Sequence, residues 1–418
     1  MRGASAVLSR EGFNAQRLLP PRQALIAFFS RASLLAPRVE FVDLDAALGR
    51  ILARNVISDR AYPQAPRSTM DGYAIRSSDV PAALRVVGEV HMGEVPSITL
   101  SARQTVRIPT GGLLPDGADA VVPIENVRVD DDRVRVEERI DAGDCVTQRG
   151  GDLKEGDVIL CAGRRIAPPE IGVLATLGQA RVEVFARPRI AVISSGDELV
   201  DVAEIAGPAQ IRDSNRYVIA AALRAMGATV RQYPSVRDDE GALEALLGSA
   251  LQANDAIVLS GGSSVGERDR TPATIANLGT PGVIVHGLRV KPGKPTVLAA
   301  IGGKPIVGLP GNPTSALMIL ETVGAPIVAA LSGDATARML LEADLLQPIE
   351  SRSGWTSFIP VALSARGERY EAVPLAMRSS LASLCARADG FITVDEVTER
   401  LAAGATVRVH QFTKGWLS

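Results

Sequence analysis

The run Arg189-Ile190-Ala191-Val192-Ile193-Ser194-Ser195-Gly196-Asp197-Glu198 decides the fold. Its first half is a short, almost continuous apolar stretch of the kind that is buried on both faces of a sheet, and it ends in a turn of Ser, Gly and acids. The pattern then alternates. Residues 215–226 read as a helix opened by Asp213-Ser214 and closed by Gly227, residues 229–233 as a strand, 240–252 as a helix and 255–260 as a strand. Strands alternating with helices predict an α/β domain with a parallel sheet covered on both faces. Ligands of such sheets bind beyond the carboxyl ends of the strands.

Working outward, residues 21–57 predict two helices. One carries Leu25, Ile26, Phe28, Phe29, Leu34 and Leu35, and the other Leu44, Ala47, Leu48 and Ile51 at helical spacing. Residues 61–152 change to short alternating runs at 84–90, 104–108, 120–123 and 133–136, separated by turn clusters, and read as a small all-β domain. Residues 313–331 predict one long apolar helix, and 344–412 a second β module.

A chain of 418 residues is long enough for several domains. With 46% hydrophobic and 22% charged residues it is neither a disordered chain nor a coiled coil. The net charge of −2 leaves no global basic field to hold nucleic acid, and 4% aromatic residues leave few stacking platforms for bases, so no nucleic-acid partner is expected. Three scattered cysteines, Cys145, Cys161 and Cys385, draw neither a disulfide framework nor a metal motif and fit a reducing cytoplasm. The longest apolar stretch is interrupted by Glu321 and Pro326, and the N-terminus has no apolar signal core, so neither a membrane span nor a signal peptide is expected.

Three loops have the composition of anion sites. Ser195, Gly196, Asp197 and Glu198 follow the first strand; Gly261, Gly262, Ser263 and Ser264, with Asp269 beyond them, follow the third; Pro310, Gly311 and Asn312 lead into the long helix. Glycine lets backbone N–H groups approach an anion, and Ser or Asn adds donors. Each loop alone reads as an ordinary turn, and each acid alone as a solvated one. Together with the rigid turn Lys291-Pro292-Gly293-Lys294-Pro295, they suggest phosphates or another oxyanion, with a divalent cation between carboxylates and phosphates. Other signatures fail. There is neither a GxxxxGK[ST] nor a GxGxxG motif. Gly262 to Gly266 matches a nucleophile elbow, but Glu267 to Pro272 delays the helix that an elbow requires. His91, His286 and His410 lack zinc-site spacing.

Taken together and in order, Met70-Asp71-Gly72-Tyr73-Ala74, Thr110-Gly111-Gly112, the stretch from Pro115 to Val122, Ser195 to Leu199, Gly261 to Gly266, Lys291 to Pro295 and Gly308 to Pro313 carry a resemblance. The chain resembles the molybdopterin molybdenumtransferases, the family of bacterial MoeA and the E domain of gephyrin. The resemblance implies a linker region (20–60 plus 153–186), an inserted β domain (61–152), a molybdopterin-binding α/β domain (187–332) and a C-terminal β barrel (333–418). It further implies a homodimer that converts adenylylated molybdopterin and molybdate, with Mg²⁺, to molybdenum cofactor and AMP. Molybdopterin adenylyltransferase and recipient molybdoenzymes are the implied partners. By motif match, Asp71, Thr110, Glu198, Asp238, Asp269 and Lys291 are the implied catalytic residues. Asp152, Ser195, Gly196, Gly261, Gly262, Ser264, Lys294, Pro310, Gly311, Asn312 and Ser379 would bind the pterin nucleotide, and Asp197, Glu198 and Asp269 the metal. The chain departs from the family pattern at Trp355 and Pro360, where arginines are common, at Arg378-Ser379-Ser380 in place of a Gly-Ser-Gly turn, and at Gly150-Gly151-Asp152 in place of Gly-Glu-Asp. A non-catalytic pterin-binding paralogue that carries cofactor is the alternative.

Overall fold

The computed structural model describes residues 18–237, 239–261, 271–337, 339–376 and 382–412. The chain divides into two compact units. One comprises Met1–Ala53, Gly163–Pro168 and Arg181–Ser418, the other Arg54–Ala162 and Pro169–Ala180.

The larger unit is built on a six-stranded sheet. Its spatial order is Thr229–Gln232, Arg189–Ser194, Ala256–Ser260, Lys304–Leu309, Val297–Ile301 and Pro281–His286. The first four strands are mutually parallel. Val297–Ile301 runs antiparallel to both of its neighbours, so the sheet is mixed at one edge. The reason is local: Ile301 pairs with Lys304 across the two-residue turn Gly302-Gly303, both at positive φ, a turn that glycine adopts without a steric penalty. Strand order reverses beside Arg189–Ser194, because the chain goes first to one neighbour, Thr229–Gln232, and then to the other, Ala256–Ser260. The carboxyl ends of Arg189–Ser194 and Ala256–Ser260 therefore flank the switch point at which such sheets open a ligand crevice.

The helices between these strands follow their sequence signals. Asp239 caps Glu240–Ala253 by accepting the Ala242 N–H at 2.8 Å, and Gly227, at φ +96°, closes Asn215–Ala225. The apolar run forms one continuous helical stretch, Pro313–Ile319 and Ala325–Ser332 joined by a π-helical turn at Leu320–Gly324. The wide turn falls just before Pro326, which has no N–H for a regular helical bond. This stretch has the length and mean hydropathy of a membrane span, yet 78% of its apolar window is buried in the fold, so it is a core helix. On its flanks lie one face of the sheet, the N-terminal helix Pro21–Ala32 and Phe358, Phe391 and Phe412 of the C-terminal module, all in one apolar cluster.

That module is a closed five-stranded barrel, in order Thr356–Arg366, Arg369–Pro374, Leu341–Leu345, Thr406–Gln411 and Gly390–Val394, the last pairing back to the first. A sixth short strand, Val290–Lys291, joins its outside by pairing with Thr356 and Ser357.

The smaller unit holds a six-stranded sheet in the order Ala120–Pro123, Gly72–Ile75, Gln104–Ile108, Ala82–Glu89, Arg133–Val136 and Arg128–Asp130. Its central strands are buried on both faces. Tyr73 and Ile75 enter one cluster while Ala74 enters the other, as the two-residue period of a strand requires.

Two expectations at the N-terminus need correction. Residues 44–51 are not a helix: Leu44–Ala46 is a single 3₁₀ turn, Gly49 takes φ +73°, and Ile51–Leu52 is a strand paired with Val184 and Phe185. The spacing of Leu44, Ala47, Leu48 and Ile51 suits a helix, but tertiary pairing beyond a left-handed glycine overrides it. The first helix exists, but its buried stripe is Ala24, Phe28 and Ala32, while Ile26 and Phe29 remain 62% and 41% exposed. Phe28 is thus the large anchor of this helix, and Phe28→Ala should lower stability by about 3–5 kcal/mol. Denaturant unfolding monitored by circular dichroism would check it, and Phe29→Ala should cost much less.

Candidate functional site

At the switch point, backbone closes on backbone. The Ser195 N–H donates to the Ser260 carbonyl at 2.9 Å, and Gly261 follows with φ +89°. A Cβ on Gly261 would lie 2.0 Å from the Ser195 carbonyl oxygen, so both conformation and space demand glycine here. Gly196 is held by donating to the Val236 carbonyl, and the Glu198 carboxylate folds back beside its Cα.

Ser195, Glu198, Gly261 and Gly311 line one cavity of about 60 Å³ with Asp213 and Asn215. Asn215 is the tie between the loops. Its amide donates to Ser260 Oγ and to the Gly311 carbonyl, each at 2.7 Å. Ser194 Oγ donates to Asp213 Oδ1 at 2.9 Å, and the Arg216 backbone N–H donates to the same oxygen at 3.0 Å. Arg216 also pairs with Asp201 at 2.6 Å, and the Ala203 N–H, with this guanidinium second, holds the Asp201 carboxyl below the usual carboxylate range. Asp213 and Asn215 are site residues that sequence reading missed, whereas Ser260 belongs to the glycine-rich loop that it singled out. Asp213-Ser214-Asn215 before a helix signals a cap, and that role conceals a second one.

The other expected residues distribute as follows. Asp197 is exposed in the same turn as Glu198. Pro310 is buried, and Asn312 sits at the N-cap of Pro313–Ile319, where its carbonyl accepts the Ala316 N–H. Lys291 and Lys294 lie on a separate turn fixed to the barrel, with Lys291 exposed and opposite Ser357. Gly293 packs against Ile319 at φ +114°, leaving no room for a Cβ. Asp71 and Thr110 are brought together in the smaller unit. Gly72 pairs with Ile108, so the residues just outside that pair meet, and the Thr110 N–H donates to Asp71 Oδ1 at 2.6 Å. Asp152 is in the smaller unit too, exposed, its N–H donating to the Tyr62 carbonyl. Asp238, Gly262, Ser264, Asp269 and Ser379 lie outside the described residues. Among the described residues no three His, Cys, Asp or Glu side chains converge as a metal cluster.

The departures at 355 and 360 are structural substitutions. Pro360 is buried within the barrel strand and Trp355 is half-buried, with the Arg352 guanidinium 5.2 Å from its ring centre. A larger hollow of about 960 Å³ lies between the long helix and the barrel. Its lining carries charges of both signs, Arg22 and Arg165 with Glu321, Asp334, Asp395 and Glu396, and Asp334 is paired with Arg165.

The cavity opens at the switch point of a doubly wound sheet, where proteins of the α/β class hold their ligands. Three family models match in succession: the MoeA N-terminal region (domains I and II) over residues 19–178, a probable molybdopterin binding domain over 191–330, and the MoeA C-terminal region (domain IV) over 342–412. The chain belongs to the molybdopterin molybdenumtransferase family. A molybdopterin molybdenumtransferase of a Nostoc strain is 36% identical over 304 residues, 70% of each chain. That of Bacillus subtilis is 30% identical over 383 residues, 88% of this chain and 89% of its own. The crystal structure of a molybdopterin biosynthesis MoeA protein from Pyrococcus horikoshii superposes with a TM-score of 0.79 at 33% identity, covering 96% of this chain and all of that one.

The Thr110 backbone N–H, and then its side chain, hold the Asp71 carboxyl below its ordinary value of 3.8. A depressed folded-state pKa makes its contribution complete above the ordinary value and lost as pH falls through the lowered one. Asp71 is therefore ionised throughout the neutral range. Carboxyl NMR titration should place its midpoint below 3.8, and Thr110→Val should raise it only in part, because the backbone donor remains.

Proposed function

We propose that this chain is a molybdopterin molybdenumtransferase, inserting molybdenum into adenylylated molybdopterin to give molybdenum cofactor and AMP. The observation that carries the reading is the cavity at the switch point, lined by Ser195, Glu198, Gly261 and Gly311 within a chain that belongs to this family from residue 19 to 412. The relatives described above are named as transferases, and no feature of the chain supports the cofactor-carrier alternative.

The reaction needs three services from the protein. The pyrophosphate must be held while AMP leaves; molybdate, an oxyanion, must meet cations and N–H donors; and the dithiolene must shed protons as it takes up the metal. The Ser195 hydroxyl with Gly261, Gly262, Ser264, Gly311 and Asn312 would supply the donors, while Gly196, whose N–H is already given to Val236, would let backbone approach closely. Lys291 and Lys294 would act as point charges on phosphate or molybdate. Asp71, Thr110, Glu198, Asp238 and Asp269 would be the acids and hydroxyl of the reaction. Asp197, Glu198 and Asp269 would hold Mg²⁺; that ion takes one or two carboxylates and keeps its other places for water and phosphate oxygens, so the adjacent exposed acids Asp197 and Glu198 suit it. When bound, Mg²⁺ neutralises charge gathering on the departing phosphate.

The working form is a cytoplasmic homodimer. Cys145 and Cys161, both unpaired, support a reducing compartment. A two-fold axis would allow Asp71 of one protomer and Glu198 of its partner to serve the same site.

Glu198→Gln and Asp269→Asn should each reduce molybdate-dependent AMP release by about 10²-fold or more, with circular dichroism unchanged. Turnover near the wild-type rate in both would remove these carboxylates from the site. Asp71→Ala and Asp269→Ala homodimers should both be inactive, whereas a doubly tagged mixed dimer carrying one of each keeps one complete site. Its AMP release should return to about half the wild-type rate if the sites act independently.

A further inference from the structure

The cavity at the switch point contains two buried oxygen acceptors to which no described residue donates a hydrogen bond. Asp213 is 2% exposed and Asn215 8% exposed, and both line the cavity. Asp213 Oδ1 accepts from Ser194 and from the Arg216 N–H, but Oδ2 accepts no hydrogen bond. The Asn215 amide cannot be turned around, because its Nδ2 donates to the Gly311 carbonyl, which can only accept. Its Oδ1 is thereby fixed, and it too has no donor. Buried acceptors left unmet each cost about 1–3 kcal/mol, so a folded protein seldom keeps two in one cavity without a ligand to meet them.

A cation is a poor candidate for that ligand. Arg216 Nε lies 3.5 Å from Asp213 Oδ2, close enough to balance the carboxylate and to repel a metal ion, yet without a hydrogen bond. The pair asks instead for neighbouring N–H donors on a planar, uncharged edge. The cavity, about 60 Å³, admits the leading edge of a ring. We propose that Asp213 Oδ2 and Asn215 Oδ1 are specificity-determining acceptors that read the 2-amino and N3–H edge of the pterin. This places the pterin end of the substrate, rather than its adenylate end, against Asn215–Ala225. Because Asn215 also ties Ser260 to Gly311, a seated pterin fixes both neighbouring loops at once. The inference rests on the function proposed above.

The test uses the full chain and three probes: 6-hydroxymethylpterin, 6-hydroxymethyllumazine, which carries a carbonyl in place of the 2-amino group, and AMP. A site built around buried acceptors should reject the lumazine, and wild-type protein should bind the pterin about a hundredfold more tightly. Asp213→Asn keeps the volume and turns one acceptor into an amide. Preference for the pterin should then fall below about tenfold, with AMP affinity unchanged. Equal binding of pterin and lumazine by the wild type overturns the proposal, and that measurement requires no variant. An Asp213→Asn protein that loses pterin and AMP in equal measure also overturns it, since that result marks a purely structural carboxylate. AMP release from adenylylated molybdopterin by the wild type is scored separately. Release without pterin discrimination overturns only the acceptor pair, whereas no release overturns the reading of the whole site.

Discussion

Burial of the helical stretch Pro313–Ser332 is the constraint on which the larger unit depends. Its side chains from Ala316 to Leu331 share one apolar cluster with the sheet face, with Phe28 of the N-terminal helix and with three phenylalanines of the C-terminal module. At roughly 25 cal/mol per Å² of apolar surface removed from water, such a shared surface outweighs the individual polar contacts around it. The π turn at Leu320–Gly324 lets this helix stay continuous through Pro326, so the cluster is not divided.

That burial also positions chemistry. Gly293 has Ile319 directly beneath it, and the strand just before it pairs with the barrel at Thr356 and Ser357. The lysine turn is thus clamped between the core helix and the barrel. The start of the same helix carries Gly311 and Asn312 at its N-terminus, where the helix dipole favours negative charge. One hydrophobic surface therefore sets the place of two groups of the proposed anion-binding residues. The third group depends on backbone packing: the Gly261 and Ser195 main chains approach too closely for any side chain to intervene.

The polar network around Asp213 works in the same direction. Ser194, Asp213, Asn215, Ser260 and Gly311 come from three strand ends and one helix, and their hydrogen bonds fix the cavity wall before any ligand arrives. Preorganised acceptors and donors of this kind cost little reorganisation on binding.

Much of this was legible in the sequence. Arg189–Ser194, Ala256–Ser260 and the helices between them announce themselves by period and by the capping residues Asp239 and Gly227, because local backbone preference and burial agree there. The ordered loop motifs carried the family, and four of the residues they named, Ser195, Glu198, Gly261 and Gly311, line the switch-point cavity. The tertiary structure decided the rest. Leu44 to Ile51 has helical spacing but becomes a turn and a strand, because pairing with Val184 and Phe185, far along the chain, outweighs local periodicity. The antiparallel entry of Val297–Ile301 depends on a two-glycine turn whose consequence for strand direction is not periodic at all. Asp213 and Asn215 read as cap residues until the fold sets their unmet oxygens in one cavity with Glu198 and Gly311. Sequence determines which groups a chain can offer at each element, since propensity and capping are local. Which of those groups lack a partner is decided only by packing, because satisfaction of a hydrogen bond is a property of everything that surrounds it.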